Sequence, residues 1–314
     1  MAQQKLGRKD YSIAVKTGTE SNKSKFAKEC VQGEMYFATD SKKLYVANAD
    51  AGVVDSTLSE LSTAGQFDPS YESSQLGYAN GLFTSTNYTI SVQPKMHFDA
   101  AILDGSDKVN NPASGSAVST WGDRSGQATS YNGTQGTASA QPTFNVSGDD
   151  KYVSFDGGDV LDLANSITRA STQPWTIVQV GNASSSGSNY YTAPNVGSTY
   201  GSVQMGKYFN GYWYDRGTTL ATGLDLSSFN MLTVTRTGGN VINAYQDGNA
   251  SIGSTTNRTG DYVHDSIGSS GGTKTTGDIY EAIFFDSVLS TTDLNTINSY
   301  FANKYSGLPT LTSW

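Results

Sequence analysis

MLTVTRTGGNVINAYQDGNA, residues 231–250, decides the fold class. Two runs rich in Val, Ile, Thr and Tyr, MLTVTRT and NVINAYQ, are punctuated by Gly238-Gly239 and Asp247-Gly248. β-Branched and aromatic side chains suit a pleated, half-buried strand. Gly and Asp supply the turn geometry that joins antiparallel strands. The same pattern runs outward in KYVSF (151–155), WTIVQV (175–180), SVQMGKYF (202–209), YWYD (212–215) and IYEAIFF (279–285). Asn210-Gly211, between KYF and YWY, is the strongest of the two-residue hairpin signals. Hairpins at this spacing predict an all-β sandwich or barrel and exclude a βαβ arrangement.

One helix is expected near the end, in SVLSTTDLNTINSYFANKYSGLP. Ser290 is a natural N-cap with Asp293 three residues on, and Leu289 and Leu294 form a hydrophobic staple. Leu294, Ile297, Phe301 and Tyr305 make one apolar stripe, and Gly307 and Pro309 stop the helix. The stripe predicts a short helix packed on the sandwich.

Composition narrows the function classes. The 314 residues carry 20 basic and 28 acidic side chains, a net charge of −8, and only 15% charged residues. An acidic chain is a poor binder of nucleic acid or anionic membrane. No apolar run approaches the roughly 20 residues of a membrane helix. The opening MAQQKLGRKDYS has no apolar core of a secretion signal, so Sec export is not expected. A single cysteine, Cys30, forms neither an intrachain disulfide nor a Cys-rich metal site and reads as a small buried residue. Charge is distributed unevenly. Residues 1–47 hold nine basic and five acidic side chains, and the remainder eleven and twenty-three. This shift suggests two units: 1–61 at the N-terminus and 91–314 at the C-terminus. They are separated by a Ser/Gly/Asn/Tyr-rich linker or arm at 62–90, whose Tyr71, Tyr78, Phe83 and Tyr88 need apolar cover.

Residues 118–163, with WGDRSG, QPTF, VSFDG and VLDL in that order, resemble concanavalin A-like (laminin G-like) jelly rolls. The resemblance continues through WTIVQV, NAYQDGNASIGS and GDIYEAIFFDSVLSTTDLNTINSYFANKYS, covering about residues 95–307. It implies an antiparallel jelly-roll sandwich closed by a short C-terminal helix, a fold that hosts lectins, hydrolases and adhesive modules. GEMYFATDSKKLYV, residues 33–46, resembles the N-terminal unit that joins many tailed-phage fibres to the particle, with Gly33, Glu34, Thr39, Asp40, Leu44 and Tyr45 carrying the match. MYFAT and KLYV read as two strands around the turn at Asp40-Ser41-Lys42, where Asp40 can close an Asx-turn. A lone hairpin is marginal in water, so this unit is expected to self-associate, as a homotrimer.

Candidate chemistry is sparse. The jelly-roll glycosidase signature, resembling E-x-D-x-x-E, is absent, and Glu281 is the only glutamate after residue 90. The chain is therefore expected not to be an enzyme. His97 and His264, each followed closely by an aspartate, read as ordinary strand or loop residues. The resemblance implies calcium ligands at Asp123, Asp156 and Asp159, although Asp123-Arg124-Ser125-Gly126 is also a sound turn on its own. Calcium aside, no cofactor is expected. A two-residue turn at Asn210-Gly211 sets Phe209 opposite Tyr212 and Tyr208 opposite Trp213. One pair is then core. The other either stacks on a sugar ring or lies under a neighbouring loop or subunit. The expected function is that of a structural protein of a tailed-phage virion, a tail fibre or a head fibre or decoration protein. It would bind other virion proteins through its N-terminal unit and could display a lectin-like domain to a host-surface glycan. A polysaccharide-degrading jelly-roll enzyme is the alternative.

Overall fold

The computed structural model describes residues 88–105, 111–183, 228–255, 261–270 and 273–314, together with strand segments at 15–18, 35–38, 43–47, 58–60, 77–78, 189–192, 205–208, 212–215 and 218–221. The chain divides into two compact units, 1–69 and 70–314.

In the first unit, strands Val15–Gly18, Met35–Ala38, Lys43–Ala47 and Leu58–Glu60 form a sheet in chain order. The outer pair Val15–Gly18 and Met35–Ala38 is parallel. The expected hairpin is present: Met35 pairs with Val46 and Ala38 with Lys43, leaving residues 39–42 as the connection. Leu44 and Tyr45 lie on its second strand. Gly33, Glu34, Thr39 and Asp40 fall outside the described residues, as does the Asx-turn expected at Asp40.

The second unit is a two-sheet antiparallel sandwich of jelly-roll type, with one α-helix among its described residues. In one sheet the order is Ala250–Thr255, Ile242–Gln246, Asn230–Arg236, Trp175–Ala183, Thr276–Phe285, Asp150–Asp156, Thr143–Ser147 and Ser116–Ala117. Met96–Asp99 pairs with the second half of Thr276–Phe285. The facing sheet centres on Leu161–Arg169 and Tyr262–Ile267. Side-chain alternation sorts the central strands into two cores. Phe98, Ile177, Val234, Ala282 and Phe284 turn into the sandwich against Trp121, Phe155, Trp175 and Tyr262. Val178, Val180, Met231, Ile283 and Phe285 turn outward to a second layer.

Helix α1, Thr291–Lys304, covers that outward face. Its expected stripe, Leu294, Ile297, Phe301 and Tyr305, is buried there together with Tyr300. Ser290 caps it, accepting from the Asp293 amide at 3.1 Å, and loss of such a cap costs about 1 kcal/mol. The Asp293 carboxylate accepts from Ser290 Oγ, and also from the Ser91 amide and hydroxyl at 2.7 Å each. Residues 88–90, assigned to the linker on composition, pack against the sandwich. Tyr88 packs edge-on against Tyr300, and Ile90 is fully buried beneath the helix.

The deciding stretch forms Asn230–Arg236 and Ile242–Gln246 as expected, but its turns differ in detail. Between these strands Asn240, and neither Gly238 nor Gly239, takes the positive φ, of 59°. Gln246 pairs with Ala250, so three residues rather than two make the next turn. Asp247 and Gly248 there have φ of 48° and 92°. The reason is tertiary: Thr312 of the C-terminal tail exchanges hydrogen bonds with Asp247 and Asn249, and a Cβ on Gly248 would lie 2.0 Å from the Thr312 carbonyl oxygen.

Candidate functional site

Glu281 stands in the middle of the apolar run IYEAIFF, where a charge demands a partner. The Thr276–Phe285 strand sets Glu281 opposite Asp99 and Ile283 opposite His97. A register shift leaves Tyr280 as an extra residue against Trp175–Ala183: Val180 pairs with Glu281, and Gly181 with Ile279. His97, Asp99 and Glu281 thus share the face covered by α1. The last turn of that helix brings Tyr300, Lys304 and Tyr305 onto them.

The result is a dense buried network. Glu281 Oε1 is 2.6 Å from His97 Nε2, and Oε2 accepts from Lys304 Nζ at 2.5 Å. The Tyr300 and Tyr305 hydroxyls donate to Glu281 at 3.0 Å. Asp99 Oδ2 accepts from Arg124 at 2.6 Å and from Lys304 at 2.7 Å, while its Oδ1 accepts from the Ala101 amide at 2.9 Å. Asp99, Glu281 and His97 are fully buried, Arg124 is 1% exposed, and Lys304 is 14% exposed. Burial alone would raise the Asp99 pKa, but the Lys304 and Arg124 cations outweigh it and hold the carboxyl well below its ordinary range. Burial pushes His97 down against the opposing pull of Glu281, so the ring is neutral. Burial, then the Glu281 charge, push both phenols well up, keeping them as neutral donors. Two carboxylates and two cations leave the network uncharged overall.

His97, Asp99 and Glu281 have ligand atoms within 4.8 Å of one another, a group not repeated among the described residues. It does not suit a metal, because Lys304 and Arg124 already neutralise both carboxylates. Nor can a polymeric substrate reach carboxylates that are sealed from solvent.

The sequence-derived candidates are scattered. Asp123, Asp156 and Asp159, the candidate calcium ligands, each serve a turn. Asp123 closes its own loop, accepting from the amides of His97, Ser125 and Tyr131 and from Ser125 Oγ. Asp156 accepts from the Gly158 amide, and Asp159 from the Asp156 amide, within the turn after Asp150–Asp156. The hairpin expected at Asn210-Gly211 is wider than two residues. Tyr208 pairs with Tyr212 and Lys207 with Trp213, so the pairs Phe209–Tyr212 and Tyr208–Trp213 do not form. Phe209 itself lies outside the described residues. A three-residue connection ending in glycine is a common hairpin closure, and it shifts the partners by one. The two histidines are strand residues, as one of the two expected placements had it, and both are fully buried. Missed altogether were Arg124, Tyr300 and Lys304. Lys304 follows Tyr300 by one helical turn, which was the available signal.

A second feature lies at the rim of the sandwich. A cavity of about 240 Å³ is lined by Lys95, Tyr131, Ile167, Thr168, Arg169 and Asp286, with Ser166. Lys95 Nζ sits 5.7 Å from the Tyr131 ring centroid. Arg169 is anchored through its NH2 group to the carbonyls of Pro174 and Asp286, and its Nε is buried without a hydrogen-bond partner. Asp286 Oδ2 is 3.8 Å from Arg169 NH1. A larger groove of about 450 Å³ lies between α1 and the tail, but its Asn295 and Asn298 amides are spent holding Thr312 and Trp314.

No family model and no curated protein matches the chain. Its fold is similar to solved structures. Trypanosoma rangeli sialidase matches at TM-score 0.47 and 11% identity over 87% of this chain. The binding domain of Paraclostridial Mosquitocidal Protein 1 matches at 0.40 and 12% over 60% of this chain and 51% of that one. Domain 4 of AbnA, a GH43 arabinanase from Geobacillus stearothermophilus in complex with arabinotriose, matches at 0.38 and 16% over 67% of this chain and 99% of that one. This chain covers 45% of the sialidase. The likeness is to the fold alone: the C-terminal unit is an antiparallel β-sandwich. The expectation of a non-catalytic chain is corrected by the same comparison. The solved structures that the chain resembles include a sialidase and a domain of an arabinanase, at 11% and 16% identity.

Proposed function

We propose that the chain is a structural protein of a tailed-phage virion, a tail fibre or a head fibre or decoration protein, whose C-terminal sandwich engages a host-surface glycan. The N-terminal unit, resembling a fibre-joining module in GEMYFATDSKKLYV, attaches it to the particle as a homotrimer. The observation that carries the glycan reading is the rim cavity. Lys95 and Arg169 place positive charge beside Tyr131 in a cleft of monosaccharide scale, which suits a saccharide bearing a carboxylate. On an array of neutral and acidic glycans, the full chain should select acidic ones. Arg169→Ala and Lys95→Ala should each weaken binding roughly tenfold or more, as expected for a hydrogen bond to a charged group worth about 1.5–3 kcal/mol. Binding unchanged in both variants removes this reading. Labelling of purified particles with an antibody to the chain tests the virion assignment.

Cleavage of the bound glycan is the second reading, favoured by the Asp286 carboxylate in the same cavity. A reducing-sugar assay on host polysaccharide decides it: release of ends that is abolished in Asp286→Asn supports catalysis, and no release leaves binding alone.

A further inference from the structure

We propose that Lys304 and Asp99 become joined by an intrachain isopeptide bond, with Glu281 carrying the protons. Three observations converge on this. An ammonium lies 2.7 Å from one carboxylate and 2.5 Å from a second, so nucleophile, electrophile and base are already in place. The carboxylates are fully buried and the lysine nearly so, which excludes the water that would otherwise favour the separated ions. Arg124 lies 2.6 Å from Asp99 Oδ2, where negative charge gathers when the amine adds to the carboxyl carbon.

The two carboxylates have different roles. Glu281 is held by His97, Tyr300 and Tyr305 with its Oε2 2.5 Å from Lys304 Nζ, the position from which it can take the ammonium proton. Asp99 has the guanidinium and thus becomes the electrophile. Glu281 takes a proton from the Lys304 ammonium, and the freed lone pair attacks Asp99 Cγ. The carbon–oxygen bond to one carboxylate oxygen then breaks. That oxygen leaves as water with two of the three ammonium protons, both passed through Glu281, which ends ionised as it began. An ammonium and a carboxylate become an amide and one water, and no oxidant, reductant or further reagent is consumed. The network is uncharged before the reaction, with two anions and two cations. It is uncharged afterwards too, with Glu281 and Arg124 remaining. The condensation therefore removes two buried charges without stranding another. Its structural consequence is to fasten the last turn of α1 to the Met96–Asp99 strand, closing a covalent loop around nearly the whole sandwich. Such a loop stabilises by restricting the unfolded chain.

The test is the intact mass of the purified full-length protein. It should fall below the sequence mass by one water. Digestion should yield a branched peptide joining the segments that contain Asp99 and Lys304. The branched peptide is the necessary readout, because Asp-Gly steps such as Asp104-Gly105 and Asp247-Gly248 also lose water on forming succinimides. Glu281→Gln and Lys304→Arg should both restore the full mass. A wild-type mass equal to the sequence mass, or a missing water that maps away from Asp99 and Lys304, overturns the proposal whether or not the variants fold.

Discussion

Arg124→Ala is expected to destabilise the C-terminal unit by about 3–5 kcal/mol, the usual cost of breaking a buried ion pair from one side. The substitution leaves one uncompensated negative charge under α1. That holds whether Lys304 and Asp99 remain an ion pair or are joined, since both forms depend on Arg124 for neutrality. The side chain is 1% exposed, so water cannot screen the loss. Denaturant unfolding followed by tryptophan fluorescence is the direct measurement. All four tryptophans (Trp121, Trp175, Trp213 and Trp314) lie in this unit, so the signal reports on it alone. Lys151→Ala is the control. Its ammonium donates to the Asp149 carbonyl at 3.0 Å at an exposed site, so the loss should stay under about 1 kcal/mol. Similar midpoint shifts in the two variants would mean that the network under α1 is hydrated and contributes little.

Acid should weaken the sandwich well above the pH at which carboxylates titrate. His264 is fully buried among Tyr262 and Phe284, with Nδ1 2.9 Å from the Tyr262 hydroxyl and Nε2 unpartnered. Burial pushes its pKa down to about 3. The unfolded chain binds a proton near the ordinary value of 6.5 while the folded chain does not. Stability is therefore complete above 6.5 and declines as pH falls from there toward 3. The slope is about 1.4 kcal/mol per pH unit, or about 2–3 kcal/mol by pH 4.5. His97, also held neutral by burial, acts in the same direction. Unfolding free energies at pH 7.5 and 4.5 measure the effect, and His264→Gln should flatten the slope whatever it costs at neutral pH. A wild-type profile that is flat across this window would show that His264 titrates normally in the fold.

These effects centre on residues that sequence reading treated as incidental, and the reason is distance along the chain. Lys304 and Asp99 are 205 residues apart, and His97 and Glu281 are 184 apart. No periodicity links them, and the strand alternation that places Glu281 beneath α1 depends on an extra residue at Tyr280. Asp123 and Asp156 were correctly suspected as turn formers, since an aspartate that bonds an amide two residues on leaves a local signature, as each does here.

What the amino-acid order determined by itself was everything of short range. It set the strands of 231–246, the hairpin in 35–47, the Ser290 cap and the buried stripe of α1, because propensity, turn residues and capping act across only a few positions. Tertiary structure alone decided the widened turns, the docking of the tail at Gly248, the rim cavity and the neutral network beneath the helix. Each of those depends on close packing of segments far apart in the chain, and a buried charge takes its meaning from whatever the fold sets beside it.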